Sequence, residues 1–160
     1  MSTQSDSESS EARAPRVPIE AGFFRIPDDP AEPPRLLGSR CKSCSEVFFP
    51  RRAVCAQCLA RETGDVELGT RGTLYTYTYV HFPLFNTRRA DQGGYGVGQV
   101  DLPEGPRVMS VLSGGPDDFR IGMEMELELE TLRENKDGEQ VVIYRFRPAA
   151  GADAAAGEAS

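Results

Sequence analysis

Cys41, Cys44, Cys55 and Cys58 are the only cysteines in the chain, and CKSCSEVFFPRRAVCAQC arranges them as two Cys-x-x-Cys pairs with ten residues between. A Cys-x-x-Cys turn brings two thiolates within reach of one metal ion, and a second turn facing the first completes a tetrahedron. Closed sites of four thiolates hold zinc when its task is structural. Two other readings compete. Paired disulfides need an oxidising compartment, but the first residues, MSTQSDSESSEAR, are polar and acidic, unlike a signal or transit peptide. A redox Cys-x-x-Cys needs only one pair. Structural Zn²⁺ is therefore expected, with a rubredoxin-like iron site as the alternative, since tetrahedral thiolates suit both metals. Reserved thiols without an export signal imply the cytoplasm.

Once a metal takes all four sulfurs, no thiolate is left to act as a nucleophile. The single histidine, His81, stands at a strand exit beside Phe82 and Pro83, where a structural or merely solvated role is more usual than general-base work. The glutamates Glu124, Glu126, Glu128 and Glu130 project to one face of a strand and read as a solvated surface, not a catalytic pair. Gly93, Gly94, Gly96 and Gly98 imitate a phosphate-binding loop. Tyr95, Val97 and Val100 set them in or beside a strand, where close backbone approach explains them better.

The elements that must position these residues are strands. Residues 1–15 are Ser/Glu/Asp-rich and expected to be disordered, and 16–34 form an extended arm because of their proline density. Within that arm, Phe23, Phe24 and Ile26 make an apolar patch that either packs back on its own domain or docks on a partner. Residues 35–65 make the ribbon, with Val47, Phe48 and Phe49 covering the metal. Beyond it, GTLYTYTYVHF alternates with Tyr75, Tyr77 and Tyr79 on one face and Leu74, Thr76, Thr78 and Val80 on the other. YGVGQVDL, PRVMSVLS, GMEMELELETL and QVVIYRFRP supply four further strands, so residues 66–148 are expected to close as a five-stranded OB-fold barrel, with an SH3-like barrel as competitor. Residues 149–160 read as a frayed tail. The fold class is mainly β: a rubredoxin-like zinc ribbon followed by the barrel.

The balance of 39% hydrophobic and 27% charged residues is that of a soluble globular protein, and no apolar run is long enough to span a membrane. A net charge of −7 disfavours nucleic acid, which selects basic surfaces. The ribbon runs against that sum: residues 35–52 carry Arg35, Arg40, Lys42, Arg51 and Arg52 against Glu46 alone. Those cations offset the negative centre of a four-thiolate site, or form a docking surface for phosphates or an acidic partner.

RLLGSRCKSC, VFFPRRAVCAQC, GTLYTYT, YGVGQVDLPEG, DFRIGMEMELE and VVIYRFRP together resemble the DUF35 family of zinc-ribbon and OB-fold proteins over residues 35–148. Many relatives place a long amphipathic helix ahead of the ribbon, which Pro27–Pro34 replace here. The resemblance implies a non-catalytic subunit of acyl-CoA enzymes that stands beside a thiolase-like protein and helps form the acyl-CoA entrance. In thiolases, acyltransferases or retro-aldolases of this kind the partner holds the chemistry. The FFRIP arm resembles that of thiolase small subunits and would make Phe23, Phe24 and Ile26 partner contacts. Coenzyme A carries phosphates suited to arginine forks, for which Arg51, Arg52, Arg88 and Arg89 are candidates. Two alternatives stand beside this reading: a single-stranded nucleic-acid binder stacking bases on the tyrosine face, and a stand-alone acyl-CoA-binding protein.

Overall fold

A computed structural model describes residues 14–82 and 93–151, and every regular element among them is a strand. The N-terminal stretch contributes β1 (Arg16–Pro18) and β2 (Phe24–Arg25). The ribbon is β3 (Arg35–Cys41), β4 (Val47–Phe48) and β5 (Thr63–Glu67). The barrel is β6 (Arg71–Val80), β7 (Tyr95–Asp101), β8 (Arg107–Leu112), β9 (Glu124–Glu134) and β10 (Gln140–Pro148). Most of the two ends expected to be disordered lies outside the described residues. At their inner margins the chain is tied down: Pro15 accepts a hydrogen bond from the Gln140 N–H, and Ala149 is buried.

β6, β7 and β8 are consecutive antiparallel neighbours. β8 meets β10 in parallel at Leu112 and Phe146, β10 runs antiparallel to β9, and β9 returns to β6 through Arg71–Thr73. The circuit β6-β7-β8-β10-β9 closes on β6, which is the Greek-key order of an OB-fold and leaves the barrel without a long free edge. β1 extends it by pairing in parallel with the start of β10. Leu74, Val100, Val108, Leu112, Met125, Leu127, Val142 and Phe146 fill the interior.

One strand departs from simple alternation. β6 shifts register against β7 between Leu74 and Thr76, so Tyr75 is the extra residue of a bulge. The three tyrosines therefore do not share a face. Leu74 is buried, Tyr77 and Tyr79 pack against the same core, and Tyr75 lies outside beneath the Arg107 guanidinium, 3.2 Å from its ring centroid. Arg107 also makes a two-pronged ion pair with Asp101, at 2.6 and 3.0 Å, which holds the Asp101 carboxyl below its ordinary pKa. The glycines opposite answer to the same geometry. Gly98 and Gly96 face Tyr77 and Tyr79 across the ladder, and a Cβ at Gly96 would stand 2.9 Å from the Phe119 ring.

The glutamates of β9 are also more than a solvated surface. Met125 and Leu127 point inward as the alternation requires, while the outward glutamates form a ladder with β10 and β6. Arg147 bonds Glu126 at 3.1 Å, Arg71 reaches Glu124 at 3.4 Å, and the buried Arg145 pairs with Glu130. Cross-strand pairs of opposite charge stabilise a sheet modestly, and here they neutralise a row of like charges.

The N-terminal stretch folds back on the chain. β2 pairs antiparallel with β3, placing Phe24 opposite Leu36 and at 3% exposure inside the shared core. Its ring meets Tyr144 of β10 edge-on at 5.7 Å, while Phe23 meets Phe49 and Phe49 meets Tyr144, each at 5.8 Å. This aromatic cluster joins arm, ribbon and barrel. Phe24→Ala should cost about 3–5 kcal/mol by leaving a cavity at that junction, to be measured by denaturant unfolding. A loss under about 1 kcal/mol would mean the arm is dispensable to the fold.

Candidate metal centre and its surroundings

The ribbon hairpin sets the four cysteines face to face. Cys41 ends β3 and Cys55 opens the second turn, and both are buried; Cys44 and Cys58 close their turns and are exposed. All four Sγ atoms lie within 4.8 Å of one another, with Cys41–Cys58 at 3.6 Å and Cys44–Cys55 at 3.5 Å. A tetrahedron with metal–sulfur bonds of about 2.3 Å has edges near 3.8 Å, so the sulfurs fit Zn²⁺, and no pair is a disulfide. Backbone N–H groups support the sulfurs in each knuckle: Ser43 donates to Cys41 and Cys58 donates to Cys55, both at 3.4 Å.

Four thiols this close cannot all ionise without a cation. The Cys41 thiol is drawn down to about 6, first by the Cys44 backbone N–H and then by that of Ser43. Cys44 is pushed up to about 12: the Glu46 N–H lowers it, but local desolvation and the neighbouring thiols of Cys55, Cys58 and Cys41 outweigh that bond. Metal binding must displace those protons, so affinity rises with pH and weakens on acidification.

Around the centre, the candidate arginines divide. Arg51 pairs with Asp65 at 2.9 Å, and Arg52 stacks over Phe48 at 5.8 Å while its backbone N–H bonds the Ser39 hydroxyl at 2.9 Å. Arg88 and Arg89 lie outside the described residues. The Arg51 guanidinium lies against Gly22, where a Cβ would come within 2.6 Å of it. The next residue, Phe23, lines an open groove of about 350 Å³ with Ile19, Val97, Met109, Val111 and Ile143. Glu20 is the charged residue among its lining. His81 is exposed and stacks edge-on with Tyr79 at 5.1 Å, away from any carboxylate partner among the described residues.

Of the arm residues expected to pack back or to meet a partner, Phe24 is buried in this chain's own core at 3% exposure. Phe23 and Ile26 are half-buried against the core. Sequence reading passed over Glu104, whose carboxylate accepts the Gly69 N–H at 2.7 Å and ties the β7–β8 turn to the link between ribbon and barrel. Its signal was faint, a single acidic residue within a Pro-Glu-Gly turn.

Residues 28–64 match the family model described as the ChsH2 rubredoxin-like zinc ribbon domain, and residues 65–130 match the ChsH2 C-terminal OB-fold domain. The benzoylsuccinyl-CoA thiolase subunit BbsA of Thauera aromatica is 37% identical over 114 residues, spanning 71% of this chain and 76% of that protein. A DUF35 domain-containing scaffold protein of Methanocaldococcus jannaschii is 34% identical over 118 residues, spanning 71% and 81%. Among solved structures, the Ltp2-ChsH2(DUF35) aldolase superposes with a TM-score of 0.58 at 30% identity, over 72% of this chain and 86% of that one. The described residues contain no helix long and apolar enough to cross a membrane.

Cys44→Ser should abolish stoichiometric zinc binding and lower Tm by about 10 °C or more, while far-UV circular dichroism keeps its β signature. Wild-type protein should also lose zinc to a colorimetric chelator faster as pH falls. Unchanged zinc content in the variant would remove the four-thiolate assignment.

Proposed function

Since the chain belongs to the DUF35 family, carrying the ChsH2-type zinc ribbon and OB-fold, we propose that it is a non-catalytic accessory subunit of a thiolase-like acyl-CoA enzyme. The relatives supply the class: one is named as a thiolase subunit, another as a scaffold protein, and a solved relative carries the name Ltp2-ChsH2(DUF35) aldolase. The observation that carries the reading is that the chain's entire cysteine complement is gathered in one metal-sized cluster. Sulfur that clamps a metal is not free to form an acyl-cysteine, so thiolase-type chemistry belongs to the partner. Zinc at this site is structural, since four protein ligands leave no open position. The setting is cytoplasmic.

The finer part of the proposal is that the subunit contributes to the acyl-CoA entrance. Support comes from the Arg51 guanidinium beside Gly22 and the apolar groove that begins at Phe23. An exposed guanidinium suits a phosphate, and an apolar wall suits the apolar arm of a ligand. Arg52, Arg88 and Arg89 are further candidates for the phosphates. Nucleic acid fits less well, because the bulge at Tyr75 divides the tyrosines between two faces and removes the continuous stacking platform.

Zinc-loaded protein alone should show no thiolysis or cleavage of acyl-CoA, and co-expression with its thiolase-like partner should yield an active hetero-oligomer. In that complex Arg51→Ala should raise KM for the acyl-CoA several-fold, by loss of about 1–2 kcal/mol of charge-assisted bonding, with kcat little changed. Turnover by the isolated chain would overturn the accessory role. An unchanged KM would remove Arg51 from the entrance.

A further inference from the structure

Two short neighbours share one edge of β10. β9 covers the opposite edge along the whole of Gln140–Pro148. On the shared edge, β1 takes Gln140–Val142 and β8 touches only at Phe146, through Leu112. Ile143, Tyr144 and Arg145 lie between those contacts with no strand beside them on that edge. The barrel is thus split along this line, and side chains bridge part of the split. The Tyr144 hydroxyl donates to the Met109 carbonyl and Arg145 Nη2 to the Leu112 carbonyl, each at 3.2 Å. The open groove lined by Ile19, Met109, Val111 and Ile143 runs beside the same split.

β1 closes the other end of the split, and it does so by its backbone. The Gln140 N–H donates to the Pro15 carbonyl at 2.8 Å and the Ile19 N–H to the Val142 carbonyl at 2.9 Å. That parallel register turns both the N–H and the C=O of Val17 toward β10. The nitrogen of Pro18 then faces away from β10, where its missing N–H costs no bond and blocks a further strand from pairing. Arg16, Val17 and Pro18 are only half-buried and stand outside the core cluster. Phe24, six residues beyond Pro18, is a core residue and anchors the arm without them. Between the two, Gly22 turns the chain with φ of +83°. A strand tied on one side by backbone bonds and tethered to a separate anchor can leave while the arm stays in place. We propose that β1 is a displaceable strap: it fills in cis a strand-acceptor site on β10, which takes an extended peptide of the same pattern, valine followed by proline, when β1 lifts. The seated strand itself states the ligand's chemistry. Backbone pairing supplies the affinity, and the proline ends the sheet at one added strand.

The test compares the full chain with forms lacking residues 1–13, as the reference, and residues 1–19. Removal of 1–19 should leave zinc content and the far-UV circular dichroism unchanged, while the Gln140 and Val142 amides exchange with solvent about tenfold faster or more. A synthetic peptide spanning residues 14–20, APRVPIE, should bind the shortened form saturably and restore that protection. It should bind the full chain about tenfold more weakly or less, because β1 must first lift. The same peptide carrying Val17→Pro lacks the N–H that pairs with β10 and should restore nothing. Unchanged exchange after removal of 1–19 overturns the strap. Lost zinc or a lost β signature assigns β1 to the fold and overturns it too. Equal affinity of the peptide for the full and shortened chains, or equal binding of its Val17→Pro form, overturns the acceptor site. A dimer of the full chain that disappears with residues 1–19 assigns β1 to exchange between two copies instead.

Discussion

Four sulfur atoms within 4.8 Å of each other are the constraint on which the ribbon depends. β4 is two residues long and β5 only five, too little to bury a core of their own. What the ribbon does bury continues inward: Leu36, Val47 and Leu68 belong to the same apolar cluster as the barrel interior. A metal at the outer end and a shared core at the inner end thus hold opposite ends of one hairpin. Glu104 adds a polar tie at the hinge, where the backbone leaves β5 for β6. The ribbon is consequently fixed in direction as well as in shape.

Much of this was legible in the residues because the signals were local. Two Cys-x-x-Cys pairs dictate a four-sulfur site by spacing alone. The alternation in 123–130 declares a strand with one apolar and one charged face, and β9 places Met125 and Leu127 inside accordingly. Gly96 and Gly98 interrupt apolar residues of a strand, and their reading as points of close approach agrees with the Phe119 and Leu112 side chains lying against them.

The illegible parts all needed a partner from far along the chain. A bulge is one residue of surplus relative to a neighbour, so Tyr75 leaves the tyrosine row only because Leu74 and Thr76 take consecutive places on β7. Whether Phe24 packs inward could not be decided from an apolar patch between prolines; Leu36 and Tyr144 decide it. The glutamates of β9 looked solvated because their counter-ions sit on β10 and β6, in register only once the barrel closes. At Leu59 the missing information was a dihedral angle. Ser45 and Leu59 look unrelated in sequence, yet each follows the last cysteine of a knuckle with a positive φ, which makes them equivalent.

Charge placement follows from these arrangements. The ladder on β9 and β10 consumes its own carboxylates, so that face offers little net field despite its glutamates. The ribbon divides its cations differently: Arg51 finds Asp65, while Arg52 rests on an aromatic ring and Arg61 is exposed. A four-thiolate zinc site carries a formal −2 that the nearest cations and backbone N–H groups share. Over residues 35–67, six cations (Arg35, Arg40, Lys42, Arg51, Arg52, Arg61) stand against Glu46, Glu62, Asp65 and Glu67, a balance of +2 that matches that charge. The basic residues of an acidic chain thus gather where the metal's ligands concentrate negative charge.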